Sequence, residues 1–134
     1  PSLLAWSAGN RSALIRIPTP RGSSTRVELR SPDPSCNPYL AFAACLAAGL
    51  DGVRRELTPP PAINENLYTM ADSGVARLPG TLEDAVHALE QDPVVTAALG
   101  QHIVSQFVSG KLREYREYQS QISQWELEQY LITY

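Results

Sequence analysis

The sequence predicts an α+β fold, with an antiparallel β-hairpin followed by a mostly helical C-terminal region. Three observations carry this reading. Two short β-type runs lie near the N-terminus with turn residues between them. Beyond position 37 the apolar residues recur at helical rather than alternating spacing. No alternation of strand and helix suggests a doubly wound parallel sheet.

The first strand reads as Ser12 to Ile17 and the second as Thr25 to Arg30, joined through Pro18, Pro20 and Gly22. The second strand alternates: Thr25, Val27 and Leu29 face one way, while Arg26, Glu28 and Arg30 face the other. Ser31-Pro32-Asp33-Pro34 neither continues a strand nor opens a helix smoothly. Asn37 then caps a helix whose first residue is Pro38. That helix is apolar all round to about Leu50, so it is expected to be buried on most sides and to need more protein around it than this chain supplies.

Residues 58–80 are rich in Pro, Asn and Gly and read as a surface loop of the kind that carries function or meets a partner. Thr81 with Asp84 starts a helix whose apolar stripe is Leu82, Ala85, Val86 and Leu89. Asp92-Pro93 restarts a helix, and Leu99, Ile103, Phe107 and Val108 continue a stripe towards Tyr115 and Tyr118. Ser123 caps a last short helix with Trp125, Tyr130 and Leu131. The expected organisation is thus a charged hairpin over 1–34, a buried helix in 35–57, a surface loop over 58–80, and a helical region with a tail over 81–134.

At 134 residues and 43% hydrophobic, the chain has the means to form a packed core. It opens at Pro1 and its only methionine is Met70, which suggests a piece of a larger domain. The longest apolar run, Tyr39 to Leu50, is shorter than the roughly 20 residues that a membrane span requires. Neither a membrane nor a nucleic acid is an expected partner. Cys36 and Cys45 lack CxxC spacing, and Cys45, inside the apolar helix, reads as a buried free thiol of a cytoplasmic protein. His87 and His102 read as surface or interface residues on amphipathic helices.

The net charge of −3 conceals an asymmetry. Residues 1–32 hold Arg11, Arg16, Arg21, Arg26 and Arg30 against Glu28 alone, a net +4, and the remainder carries −7. These cations are all arginine, whose planar fork suits phosphate and carboxylate oxygens. A solvated, aggregation-resistant edge strand would also place charges on one face. Against that, the set is arginine-only, and Glu28 between Arg26 and Arg30 is held ionised and positioned, as a metal ligand must be. A hard cation takes about six oxygens, so one carboxylate is too few and the remaining ligands must lie outside this chain.

These residues fall into motifs that follow in order: Asn10-Arg11-Ser12-Ala13, Arg16-Ile17-Pro18, Arg26 through Pro34, Asn37-Pro38-Tyr39-Leu40-Ala41, and Ala48 through Gly52. Asn66-Leu67-Tyr68, Leu78-Pro79, Trp125-Glu126 and Tyr130 extend the series. Over essentially its whole length the chain resembles the C-terminal part of the catalytic domain of bacterial type I glutamine synthetase. The resemblance implies ATP-dependent ligation of ammonia to L-glutamate through a γ-glutamyl phosphate, with Mg2+ or Mn2+ as the metal. It implies that Glu28 binds the metal on the nucleotide side and that Arg30 contacts glutamate and its phosphorylated form. It implies that Arg11 reaches glutamate and the terminal phosphate of ATP, and that Arg16 and Arg26 contact nucleotide phosphates. The partners it implies are the rest of the same catalytic domain and identical subunits in a dodecamer.

The chain departs from the family pattern in places. Gly9 stands where members often have a basic residue, and the hairpin loop, Arg21-Gly22-Ser23-Ser24, lacks the usual lysine, leaving Arg21 or Ser23 as substitutes. Tyr68 matches the tyrosine that some members adenylylate, although the short hairpin resembles the branch in which it is generally left unmodified. Two alternatives stand beside the synthetase reading: a non-catalytic assembly or regulator-binding fragment, and a related ligase joining glutamate to another amine. On its own the chain is expected to be inactive.

Overall fold

The computed structural model describes residues 1–70 and 74–131, which divide into two compact units, Pro1–Gly80 and Thr81–Tyr134. In the first unit three two-residue strands, β1 (Trp6–Ser7), β2 (Ile15–Arg16) and β3 (Glu28–Leu29), form one sheet in that order. The expected hairpin is present: the central strand β2 and the edge strand β3 are antiparallel, with Ile15 opposite Leu29 and Arg16 opposite Glu28. Its strands are shorter than the sequence suggested. β1, absent from the sequence reading, lies parallel to β2.

Residues 58–80, read as a surface loop, return to this sheet. Ile63 N–H donates to Trp6 O, Leu4 N–H to Ala76 O, and Leu78 N–H to Ser2 O. Leu67 from this segment joins Leu3, Ala5 and Ala13 in the buried core, with Ile63, Met70 and Val75 packed against them. The segment is irregular because its polar backbone groups find partners on the N-terminal strand region rather than within a helix of its own.

Helix α1 (Pro38–Arg54) follows from its cap, because the Asn37 side chain accepts from the amides of Tyr39 and Leu40. It ends where Glu56 takes φ +52°, with Glu56 N–H bonded to Val53 O and Leu57 N–H to Gly52 O. The burial expected of it is not supplied within this chain, since none of its residues is buried and no strand of the unit packs against it. Tyr39, Phe42, Leu46, Leu50 and Val53 form one exposed stripe at helical spacing, with Phe42 68% and Leu46 67% exposed. Cys45 is likewise exposed rather than buried, and Cys36 is half-buried.

The second unit holds α2 (Leu82–Gln91), α3 (Pro93–Leu99), α4 (Gln101–Gln119) and α5 (Gln124–Tyr130). The first three pack on one another and bury Val86 and Val108. The three predicted starts are present: Thr81 accepts from Asp84 N–H, Asp92 from the amides of Val94 and Val95, and Ser123 forms a reciprocal capping box with Glu126. The stripe that continues through Leu99 to Phe107 is interrupted at Gly100, whose φ of +81° breaks one helix and starts the next. Trp125 and Tyr130 on α5 meet edge to face at 6.1 Å. The expected tail runs into residues 132–134, outside the described residues. Because Asp92 satisfies two orphan amides, Asp92→Ala is expected to cost about 1 kcal/mol, read as an earlier urea midpoint with unchanged slope.

Candidate functional site

The register of β2 and β3 builds the site. Pairing Arg16 with Glu28 across the ladder sets their side chains on one face, and period-two alternation adds Arg26 from β3's own run. Arg16 Nη1 lies 2.9 Å from Glu28 Oε2, and Arg26 Nη2 lies 2.7 Å from Glu28 Oε1. Arg26 Nε also donates to Oε1, at 2.8 Å, so the carboxylate is gripped on both oxygens. Arg26 is fastened to its own loop by a further bond to Ser24 O.

This grip holds the Glu28 carboxyl below its ordinary pKa. The Arg16 hydrogen bond is the main cause; partial desolvation opposes it, and the Arg26 bond adds to the lowering. Arg16 Nε is buried with no hydrogen-bond partner, so that guanidinium retains a donor for an incoming oxygen.

The other predicted site residues fall in different surroundings. Arg30, anchored by its amide to Leu14 O, donates through Nη1 to Ala13 O at 3.3 Å and takes no part in the ion-pair cluster. Arg11 lies exposed in the turn before β2 and makes no hydrogen bond or ion pair with the described residues. Arg21 folds back onto its own loop, donating to the carbonyls of Pro18, Thr19 and Pro20. Tyr68 is 70% exposed, its amide capped by Asn66 Oδ1.

Among the described residues, no group of three or more His, Cys, Asp or Glu side chains is placed to hold a metal ion. Glu28 fits as one hard oxygen donor through Oε2, which accepts a single bond, from Arg16, and keeps a lone pair, whereas Oε1 accepts twice from Arg26. His87 and His102 are exposed on α2 and α4. No helix among the described residues is long and apolar enough to cross a membrane.

Sequence reasoning missed the buried polar side chains beside Arg11. Ser7 and Ser12 are nearly inaccessible, and both bond towards residues 64–67. The signal for them was weak, because a serine beside a turn is ordinary until its long-range partner is known.

The sequence model of the glutamine synthetase catalytic domain matches residues 1–130. The chain is 52% identical to the glutamine synthetase of Thermus thermophilus, covering all of this chain and 31% of that protein. It is 49% identical to that of Thermotoga maritima, over 98% of this chain and 31% of that protein. It therefore spans just under a third of the length of these relatives. Among solved structures, it superposes on the ADP complex of GmaS with a TM-score of 0.89 at 37% identity, over 98% of this chain and 30% of that one. Plasmodium falciparum glutamine synthetase shares the fold, with a TM-score of 0.77 at 22% identity, over 96% of this chain and 34% of that one.

Proposed function

The chain belongs to the glutamine synthetase catalytic-domain family, and from that premise we propose that it forms one wall of an active site that joins ammonia to L-glutamate at the expense of ATP. The observation that carries the proposal is the Arg16–Glu28–Arg26 cluster, a positioned carboxylate inside an arginine-only surface. Such a surface suits the transfer of a phosphoryl group, whose charge spreads over several oxygens and is stabilised by fixed cations.

In this reading Glu28 contributes one ligand to Mg2+ or Mn2+, with the other oxygens supplied from outside this chain. When bound, the metal neutralises charge on the phosphate oxygens. Arg16 and Arg26 orient the nucleotide phosphates, Arg30 holds the glutamate, and Arg11 spans glutamate and the terminal phosphate. The ADP complex of GmaS supports the nucleotide assignment. The rest of the same catalytic domain covers the exposed stripe of α1, and the intact enzyme is a cytoplasmic dodecamer. Tyr68, exposed on its loop, is accessible to modification.

The test compares the 134-residue chain with the intact enzyme, supplying ATP, glutamate and either ammonia or methylamine. Glutamine formation is expected from the intact enzyme and none from the isolated chain, which lacks the further metal ligands. Glutamine made by the isolated chain would refute the shared-site reading. A second reading, in which an alkylamine replaces ammonia on the same fold, is decided by the same assay. Preference for methylamine would establish it.

A further inference from the structure

We propose that Asn10 is a positioning residue for Arg11, clamping the turn that carries it to residues 64–67; this rests on the synthetase reading above. The carboxamide of Asn10 is used at both ends. Its Oδ1 accepts from Ser12 N–H at 2.9 Å and from Ser12 Oγ–H at 2.7 Å, while its Nδ2 donates to Glu65 O. Its amide donates to Ser7 Oγ at 3.2 Å, and Ser7 Oγ–H in turn donates to Asn64 Oδ1 at 2.9 Å. Ser12 Oγ completes the circuit by accepting from Leu67 N–H at 3.0 Å.

Each anchor is firm. Ser7 is fully buried, Ser12 is 5% exposed, and Leu67 is part of the core together with Ala13. Arg11 sits between two residues of this circuit, yet its own guanidinium has no partner among the described residues. The neighbouring cations differ: Arg16, Arg26, Arg21 and Arg30 are each tied to this chain through their side chains. Arg11 is therefore aimed by its backbone alone, and that backbone is set by Asn10. A side chain left free for a ligand but rooted in a fixed turn is the arrangement a reacting group needs, because a misplacement of about 1 Å can cost on the order of a hundredfold in rate.

The experiment is a double-mutant cycle in the intact enzyme, read as glutamine formation, together with amide hydrogen exchange. Asn10→Ala alone is expected to lower kcat by about tenfold or more, but by less than about twofold when Arg11 is already alanine. An equal loss in both backgrounds would mark Asn10 as a structural residue only and overturn the proposal. Asn10→Asp keeps the acceptor for Ser12, while it loses the donor to Glu65 and adds a negative charge facing that carbonyl, so a partial loss is expected; the same cycle run on it covers a failure of the alanine variant to fold. Exchange at the amides of Ser12 and Leu67 should accelerate in Asn10→Ala, which removes the acceptor that holds Ser12. Unaltered exchange overturns the clamp whether or not glutamine is formed. A wild-type enzyme that forms no glutamine overturns the synthetase reading and the catalytic part of this inference with it.

Discussion

Replacing Glu28 by alanine in the intact enzyme is expected to lower metal-dependent turnover by roughly a hundredfold or more, while subunit assembly is retained. The two consequences separate because the ion pairs are partly solvated. Arg26 is half exposed and Glu28 about a third exposed, and pairs of this kind add little to folding. Catalysis is another matter, because the carboxylate is held in one orientation by Arg16 on one oxygen and Arg26 on the other. Without it the two guanidiniums face each other unshielded and, on the proposed metal-binding role of Glu28, the bound cation loses one of its ligands.

The sign of the pH effect follows from the same geometry. Glu28 titrates below its ordinary value, so its paired form is fully present above the usual carboxylate range. It is lost only as pH falls through the lowered folded value. At neutral pH Glu28→Gln removes the charge without a change in size, and its activity should stay near that of the alanine variant across a Mg2+ titration. Wild-type dependence on Mg2+ in either variant would sink the assignment of Glu28.

Local chemistry made much of this chain legible. Asn37-Pro38, Asp92-Pro93 and Ser123 with Glu126 each announce a helix start with residues that bond within one turn, and each start is where the sequence puts it. The charged face of β3 was legible for the same reason, since alternation is a property of the strand itself. Joining Arg16 to that face needed only the hairpin register.

What stayed hidden depends on distant partners. The parallel pairing of β1 involves two residues and carries no periodicity of its own. Leu67 enters the core from a stretch whose composition reads as loop, because its backbone is satisfied by residues more than fifty positions away. Helix α1 shows the converse. Its sequence encodes a buried element, yet Phe42 and Leu46 lie open. An apolar composition records the surroundings for which the helix was selected, and under a third of the length of the relatives is present here to supply them.

Arg30→Ala is expected to raise the KM for glutamate by about ten- to a hundredfold while changing the KM for ATP by less than about threefold. The asymmetry rests on where Arg30 is held. It stands outside the cluster that fixes Arg16, Glu28 and Arg26, so its removal leaves both of Glu28's ion pairs in place. Its single side-chain bond goes to the carbonyl of Ala13, a fully buried residue next to the Asn10–Ser12 turn. One of five guanidinium donors is spent there, and the rest of the fork remains for a carboxylate or for the phosphorylated carboxyl that replaces it. Arg30→Lys keeps the charge but loses the planar fork, so it should recover less than about a tenth of the lost affinity if bidentate geometry is what glutamate reads. Initial rates with each substrate varied in turn decide between the possibilities. Equal rises in both KM values would mean that Arg30 supports the wall as a whole. Normal glutamate kinetics would remove it from the substrate side of the site.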